Sequence, residues 1–457
     1  MSFNETIAAI ATAPGRGGIA IIRVSGNKAL EVASKIAKLD SMKPRVAYFK
    51  KFFDNDVQVD EGLALYLKGP NSYTGEDTLE LQGHGGNIVP QRVLSAVLAI
   101  DGVRQAEPGE FTRRAFLNGK IDLTEAEAVE DLISAGSDSA AKAALASLDG
   151  EFARNLNILT DYLTNFRVRI EACLDFPEEH EDFFDSGIAK DQLSSLLDHA
   201  KKSLNIASQG VKLNEGARIV LAGSPNAGKS SLLNALAGAD KAIVTNIPGT
   251  TRDTLSINIE IEGIPVTITD TAGIRDTPSD EIEAIGINRA IDELKKSDLV
   301  LLMIDSSNEA PDAKKTLDKI KALTDRDNNI IIIKSKTDLA QNENTKKLLS
   351  SSDFKCYEQV ECSTKITDGT KMLYKSLVKA LGIIPTEGVF SARRRHTNEL
   401  IETIEAISRS IDMLDLGDLV LCARELQIAQ EHIGTITGKV SSDDLLGKIF
   451  SSFCIGK

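Results

Sequence analysis

Gly223-Ser224-Pro225-Asn226-Ala227-Gly228-Lys229-Ser230 is the stretch on which the reading of this chain turns. Its spacing is G-x-x-x-x-G-K-[ST], the phosphate-binding loop pattern. The apolar run Ala217–Ala222 before it reads as a buried strand, and Ser231–Ala237 after it as a helix. Strand, loop and helix are the context in which the pattern has a physical meaning. The glycines let the backbone curl so that successive N–H groups face a phosphate, and the helix N-terminus adds partial positive charge. Lys229 then reaches the β- and γ-phosphates, and the Ser230 hydroxyl binds magnesium. The bland alternative is a Gly-rich turn without a ligand; the flanking strand and helix count against it.

The residues downstream choose the nucleotide. Asp270-Thr271-Ala272-Gly273 follows the strand Val266–Thr269, which sets Asp270 to hold magnesium through water and the Gly273 N–H to sense a γ-phosphate. Between them lies Thr245-Asn-Ile-Pro-Gly-Thr250-Thr251-Arg-Asp253, where a threonine can complete the magnesium shell. Ser335-Lys336-Thr337-Asp338 follows the strand Ile330–Ile333. Asp338 can accept from both N1–H and the 2-amino group of guanine, a donor pair that adenine lacks, so the expected nucleotide is GTP. The usual guanine motif is Asn-Lys-x-Asp; serine at 335 removes an amide that ties loops together and predicts weaker guanine binding. Ser363-Thr364-Lys365 stands where a last base-contacting motif belongs, with Thr364 offering its backbone N–H. The expected GTP-binding set is therefore Asn226, Ala227, Gly228, Lys229, Ser230, Ser231, Thr245, Thr250, Thr251, Asp270, Thr271, Ala272, Gly273, Lys336, Asp338, Ser363 and Thr364.

Hydrolysis needs a positioned water. Many GTPases place a glutamine just after Asp-x-x-Gly; here Ile274 occupies that place and cannot orient water. Asn226 and the Thr245–Thr250 loop can instead supply oxygens to a monovalent cation, sitting where an arginine finger otherwise brings positive charge. Carboxylates of Asp280-Glu281-Ile282-Glu283 can then position the water.

The whole chain has 457 residues, 42% hydrophobic and 26% charged, enough for two to four domains of ordinary composition. A net charge of −14 argues against a mainly electrostatic nucleic-acid binder, though not against local basic patches. Met1-Ser-Phe-Asn-Glu5 has neither a basic start nor an apolar core, and no apolar run approaches the roughly 20 residues of a membrane span. The five cysteines (Cys173, Cys356, Cys362, Cys422, Cys454) show no metal or redox spacing, which predicts free thiols and a cytoplasmic protein.

Four segments are expected. Residues 1–118 read as a mixed α/β domain, with strands at Ile19–Val24, Leu63–Leu67 and Thr78–Gln82 and a helix over Asn87–Ile100 that holds Pro90 in its first turn. Gly-rich stretches punctuate it: Pro14-Gly-Arg-Gly-Gly18, Ser72-Tyr-Thr-Gly75 and Gly83-His-Gly-Gly86 either turn the chain or let backbone approach a ligand. Residues 119–213 are helix-rich. Thr124 and Glu127 predict a capping box, and a long amphipathic run follows from Ala140 to about Leu174. The acidic stretch Phe176–Asp185 reads as a solvated loop rather than a metal site. Residues 214–379 form the nucleotide domain, with strands at 217–222, 257–261, 265–269, 298–304, 329–334 and 357–362. Continuous apolar runs such as Leu299–Ile304 mark strands buried on both faces of a largely parallel sheet. Residues 380–457 turn helical again, with amphipathic runs at Glu399–Leu414 and Leu419–Ile433. The fold class is multidomain α/β plus all-α: a P-loop domain inserted in a helical domain, after an N-terminal α/β domain. Arg393-Arg-Arg-His396 is either an exposed helix start or a contact for an anionic partner.

Gly223–Ser230, Thr245–Asp253, Asp270-Thr-Ala-Gly-Ile-Arg275, Ala13–Ala20, Tyr73–Asp77, Pro108–Lys120 and the ending Cys454-Ile-Gly-Lys457 together resemble the MnmE (TrmE) family of tRNA-modifying GTPases across essentially the whole chain. Gly456 and Lys457 do not fit a prenylation box, which the ending otherwise mimics. The resemblance implies a homodimer joined through folate-binding-like N-terminal domains. It implies a tetrahydrofolate derivative, in 5-formyl or methylene form, and an FAD-containing partner, MnmG (GidA), in a heterotetramer. Together such proteins add an aminomethyl-type group, commonly carboxymethylaminomethyl, to carbon 5 of the wobble uridine of certain tRNAs. By motif match, Arg23, Glu80, Lys120 and Lys457 bind folate; Asn226, Thr245, Ile247 and Thr250 ligate potassium; Ser230 and Thr251 ligate magnesium. Glu283, with Glu281 as fallback, matches the water-orienting glutamate, and Cys454 takes part in modification as acid, base or nucleophile. The rival reading is a ribosome-assembly or signalling GTPase switch without tRNA chemistry, which leaves the Gly-rich N-terminal loops and Cys454 without a purpose.

Overall fold

The computed structural model describes residues 5–175, 187–237, 256–270, 291–324, 329–382, 389–440 and 443–456. The chain groups into two compact units. One gathers Met1–Glu130, Ser147–Ser203 and Asn398–Lys457; the other gathers Asp131–Ala146 and Leu204–Thr397.

The second unit is built on a six-stranded sheet in the order β12-β11-β10-β7-β9-β8. Its strands are β7 (Ala217–Gly223), β8 (Ser256–Ile261), β9 (Ile264–Asp270), β10 (Leu299–Asp305), β11 (Ile330–Ser335) and β12 (Glu358–Glu361). All neighbours are parallel except β8, which returns antiparallel to β9. The apolar runs explain the burial: alternate residues of one strand enter different cores. Ile219 and Leu221 pack with Leu232, Leu233 and Leu377 from the helices Lys229–Ala237 and Lys371–Ala380. Val220 and Ala222 face the other way, onto Leu317 and Ile320 of the helix Ala313–Thr324. A strand covered on both sides has no polar face to show, hence Ile330–Ile333.

The second unit also holds residues outside 214–379. Ala143 belongs to the first of these cores, and Ser137 Oγ donates to Gly263 O at 2.7 Å. The expected segments 119–213 and 380–457 are each divided between the two units.

The first unit carries a six-stranded sheet in the order β3-β4-β5-β2-β1-β6. Its strands are β1 (Thr6–Ile10), β2 (Ile19–Ser25), β3 (Ala47–Asp54), β4 (Val57–Leu67), β5 (Thr78–His84) and β6 (Val103–Gln105). Among the described residues of this sheet, only β1 and β6 pair in parallel. The helices Ala29–Ala37 and Val89–Leu98 cover one face, where Val32, Ile36, Val93 and Val97 meet Ile22, Val24, Leu79 and Leu81. Pro90 stands in the first turn of the second helix as expected. On the opposite face, Phe111 of the helix Glu110–Leu117 joins Ile7 and Ala9, and among the described residues no helix core covers β5, β4 and β3 there.

Two local expectations fail. The capping box before the helix Leu123–Ser134 is Asp122 with Glu125, not Thr124 with Glu127. Asp122 Oδ1 accepts the Glu125 N–H at 2.9 Å, and Glu125 Oε2 accepts the Asp122 N–H at 2.8 Å. Aspartate caps as well as threonine does, so the pattern begins two residues earlier. The single run from Ala140 to Leu174 is two helices, Asp138–Leu148 and Glu151–Asp175. Gly150, at φ 79, breaks it in a left-handed conformation that a glycine adopts without cost.

Candidate functional site

The nucleotide site lies at the carboxyl ends of the parallel strands, where α/β sheets open toward ligands. β7 ends at Gly223, whose φ of 144 is closed to side chains; a Cβ there would also overlap Met303 O. Asn226 at φ 66 and Gly228 at φ 99 complete the curl, and Lys229 opens the helix. Lys229 is 8% exposed, and its Nζ donates to Gly223 O at 3.1 Å and to Ser224 O at 3.2 Å, both in its own loop. Ala227 is buried, while Asn226, Ser230 and Ser231 are exposed at the loop and the first helical turn.

Asp270 ends β9 beside this lysine. Its Oδ1 forms a long ion pair with Lys229 Nζ at 3.9 Å, too far for a hydrogen bond, and is buried with no hydrogen-bond partner among the described residues. Burial pushes this carboxyl above its ordinary value, and Lys229 pulls it only partly back. A buried carboxylate oxygen left open next to a phosphate loop suits a cation held directly or through water, so the donor set fits magnesium.

The guanine end is assembled from three strand ends. Asp338 is exposed, and its Oδ1 accepts from Ser363 Oγ at 2.7 Å, a bond that lowers its pKa and fixes the carboxylate. Thr364, beside Ser363, is exposed. Lys336, at φ 58, places Nζ 2.7 Å from Asp305 Oδ2. Burial works to raise Asp305, but hydrogen bonds from Lys336, Ser307 and Asn308 outweigh it and hold its pKa at about 2. Asp305 escaped the sequence reading; the available signal was a carboxylate closing the apolar strand Leu299–Asp305.

The serine at 335 keeps the tie that its sequence suggested was lost. Ser335 is 4% exposed, and its Oγ donates to Ala227 O of the phosphate loop at 2.6 Å, with Ile304 O 3.2 Å away. Ser306 Oγ in turn donates to Ser335 O. A hydroxyl on a strand this close to the loop replaces the longer amide.

The first unit brings together Arg23 and Glu80, which face one another across β2 and β5 with Arg23 Nη2 2.9 Å from Glu80 Oε1. The Arg23 guanidinium lies 5.9 Å from the ring centroids of both Tyr73 and Phe111. Gln82 Nε2 donates to Glu80 Oε2 at 3.2 Å. Lys120 is exposed, and Gly75 is positioned so that a Cβ there would meet the Lys120 stem at 3.3 Å. The Tyr73–Asp77 loop is held from behind. Arg114, 0% exposed, donates to Glu76 Oε2 at 3.0 Å and to Glu110 Oε1 at 2.9 Å. Burial works to raise Glu110, but hydrogen bonds from Arg104, the Glu107 N–H and Arg114 outweigh it and keep it below the ordinary value. An aromatic-backed cationic and anionic pair suits a flat, polar heterocycle, so these residues fit a pterin-like group.

The C-terminal tail docks on this same unit. Ile455 forms a β-bridge with Pro108, and Gly109 N donates to Cys454 O at 3.4 Å. Gly456, at φ 99, passes so close to Ile10 O that a Cβ would overlap it. Cys454 is exposed, as is Cys356; Cys173, Cys362 and Cys422 are buried. Ile455 also lines a cavity of about 450 Å³ with Gly15, Gly17, Gly85 and Gly86, joining two of the Gly-rich loops. The basic run Arg393–Arg395 is engaged internally in the second unit: Arg393 pairs with Asp131 at 2.8 Å and Arg394 with Glu215 at 2.7 Å.

Thr245, Ile247, Thr250, Thr251, Thr271, Ala272, Gly273, Glu281, Glu283, Lys457 and the acidic stretch 176–185 lie outside the described residues. Among the described residues, no helix is long and apolar enough to cross a membrane.

A family model described as the MnmE helical domain matches residues 123–454, and one described as the GTP-binding protein TrmE N-terminus matches 6–120. The chain belongs to the MnmE family. It is 47% identical over 460 residues to the tRNA modification GTPase MnmE of Haemophilus influenzae strain PittGG, covering 99% of this chain and 100% of that one. It is 46% identical over 471 residues to tRNA modification GTPase MnmE of Mannheimia succiniciproducens, covering 100% of both. Solved structures with some likeness include the G domain of the T. maritima FeoB iron transporter, 28% identical, TM-score 0.28, covering 36% of this chain and 98% of that one. Aquifex aeolicus Era is 24% identical, TM-score 0.30, covering 41% and 66%. Like the MnmE family, this chain is a GTPase.

Proposed function

We propose that this GTPase modifies tRNA: with an FAD-containing partner, MnmG (GidA), it adds an aminomethyl-type group, commonly carboxymethylaminomethyl, to carbon 5 of the wobble uridine. The observation that carries this reading is the match to tRNA modification GTPases over 99% of the chain. The substrate is tRNA, the working form a cytoplasmic homodimer joined through its N-terminal domains, and the complex with the partner a heterotetramer. The domains are 1–118, 119–213, 214–379 and 380–457, the third inserted between two parts of one helical domain.

In the nucleotide domain, Lys229 leaves its loop carbonyls for the phosphates, and the loop N–H groups receive the charge. Asp338 selects guanine, with Thr364 adding its backbone N–H. Ser230, Thr251 and Asp270 would hold magnesium. Magnesium would neutralise phosphate charge. Asn226, Thr245, Ile247 and Thr250 would hold potassium, which would bring positive charge to the phosphates, and Glu283 or Glu281 positions the water. In the N-terminal domain, Arg23, Glu80, Lys120 and Lys457 hold a tetrahydrofolate derivative, 5-formyl or methylene, which when bound supplies a one-carbon unit. Cys454 acts in that modification, and the docked tail keeps it on the same unit as Arg23.

Nucleoside analysis of wobble uridine in cells lacking the protein tests the reading: the modified nucleoside should disappear. Its persistence would leave a GTPase switch without tRNA chemistry. GTP turnover should be faster in potassium than in sodium, and Asn226→Ala should remove the difference. Equal rates of the parent in both salts would sink the potassium site.

A further inference from the structure

The open face of the N-terminal sheet carries a further polar group, His84, in line with Arg23, Glu80 and Gln82. On β5, Glu80, Gln82 and His84 alternate onto one face, opposite Arg23, Ile21 and Ile19 of β2. Asp60 of β4 grips His84 at two points. Its Oδ2 accepts the His84 backbone N–H at 2.8 Å, and its Oδ1 lies 2.7 Å from His84 Nδ1. The Asp60 side chain is 6% exposed and that of His84 69%. Glycine at 83 makes the grip possible, since a Cβ there would overlap Asp60 Oδ2. The carboxylate therefore lies flat on the β5 backbone instead of reaching into solvent.

A buried carboxylate accepting Nδ1–H fixes the imidazole ring and its tautomer, leaving Nε2 as the outward acceptor. A simple surface ion pair has no need of a buried carboxylate or a glycine kept clear for it. Neighbouring charge acts in the same sense: Asp60 first, then Glu61, stabilise the protonated ring, while Ile19 across on β2 is uncharged. Glu80 stands four residues back on the same strand and is itself paired with Arg23. His84 opens the stretch Gly85-Gly86 that lines the cavity beside Ile455, and Gly85 N donates to Gly18 O at 3.2 Å. It thus sits between the Arg23–Glu80 pair and the loops next to the tail.

We propose that Asp60 and His84 form a proton-transfer pair, with Nε2 taking a proton from, and returning it to, an N–H or O–H group of the ligand seated on the Arg23–Glu80 face. This rests on the reading of that face as the one-carbon site. Each proton taken is returned, so the histidine ends as it began and no oxidant or reductant is involved.

The test uses the full-length protein with its FAD-containing partner and tRNA. His84→Gln should lower wobble-uridine modification by about 10²-fold, the lower end for a general acid–base group, while GTP hydrolysis reports that the protein is folded. Asp60→Asn should move the acidic limb of the modification rate to lower pH, because it removes the charge that stabilises the protonated ring. Histidine NMR, assigned by His84→Gln, should show the same downward displacement of the His84 titration without any ligand. A ring-fixing structural role would not move that limb. Modification by His84→Gln at the parent rate across pH 6–9 would overturn the proposal, as would an Asp60→Asn titration unchanged by NMR. Binding of 5-formyltetrahydrofolate to the parent is measured separately: its absence overturns the folate reading of the face, and the pair is then still judged by the His84→Gln modification rate.

Discussion

Ser335→Ala removes a single oxygen, and the structure says what depends on it. That hydroxyl is buried and donates to Ala227 O at 2.6 Å, joining the guanine strand to the phosphate loop. Deleting the donor strips the Ala227 carbonyl of this bond inside the protein, which costs about 1–3 kcal/mol. If the loop relaxes to recover a partner, the N–H groups around Asn226 and Gly228 lose their preset curl, and the cost falls on nucleotide binding. At 1.4 kcal/mol per tenfold, guanine nucleotide affinity should drop between about 5-fold and 10²-fold. Ser335→Asn restores a donor of the usual guanine-motif type and should bind close to the parent. The assay is calorimetric titration with GDP at fixed magnesium and potassium, well below the melting temperature of each variant. A Ser335→Ala protein that binds GDP within about twofold of the parent would refute the view that this hydroxyl carries the tie.

Three more outcomes are expected. Asp305→Asn should weaken guanine nucleotide binding by releasing Lys336; because Asp305 titrates at about 2, below an ordinary carboxylate, its stabilisation is complete above about pH 4 and lost as pH falls through 2, so the parent's acid-unfolding curve should lose part of its slope there in the variant. Ellman's reagent should find Cys454 and Cys356 fast and Cys173, Cys362 and Cys422 protected; Cys454→Ser should keep GTP hydrolysis and lose wobble-uridine modification, and full modification would make the thiol an ordinary terminal one. Gly456→Ala forces a side chain into φ 99 and onto Ile10 O, so the tail should come free, shown by faster carboxypeptidase digestion and lower modification with GTP hydrolysis retained; an unchanged digestion rate would show that the tail is not held there.

What the sequence determined by itself is what a short window can encode. The loop Gly223–Ser230, the two-sided apolar strands and Asp338 are legible because curled backbone, double burial and acceptor geometry each demand particular residues within a few positions. The three N-terminal strands that went unread had no such signature: β3 is an edge strand whose exposure does not alternate, β6 is three residues long, and β1 is a short run that only its neighbours make a strand. What only the tertiary structure decided joins positions far apart in the chain. Ser335 reaches a carbonyl 108 residues away, Lys336 an acid 31 residues away, and Ile455 a bridge to Pro108. Asp60 finds His84 because β4 and β5 run side by side and Gly83 leaves the space between them empty. No periodicity announces such pairs, since each partner is an unremarkable polar residue until folding removes the water between them.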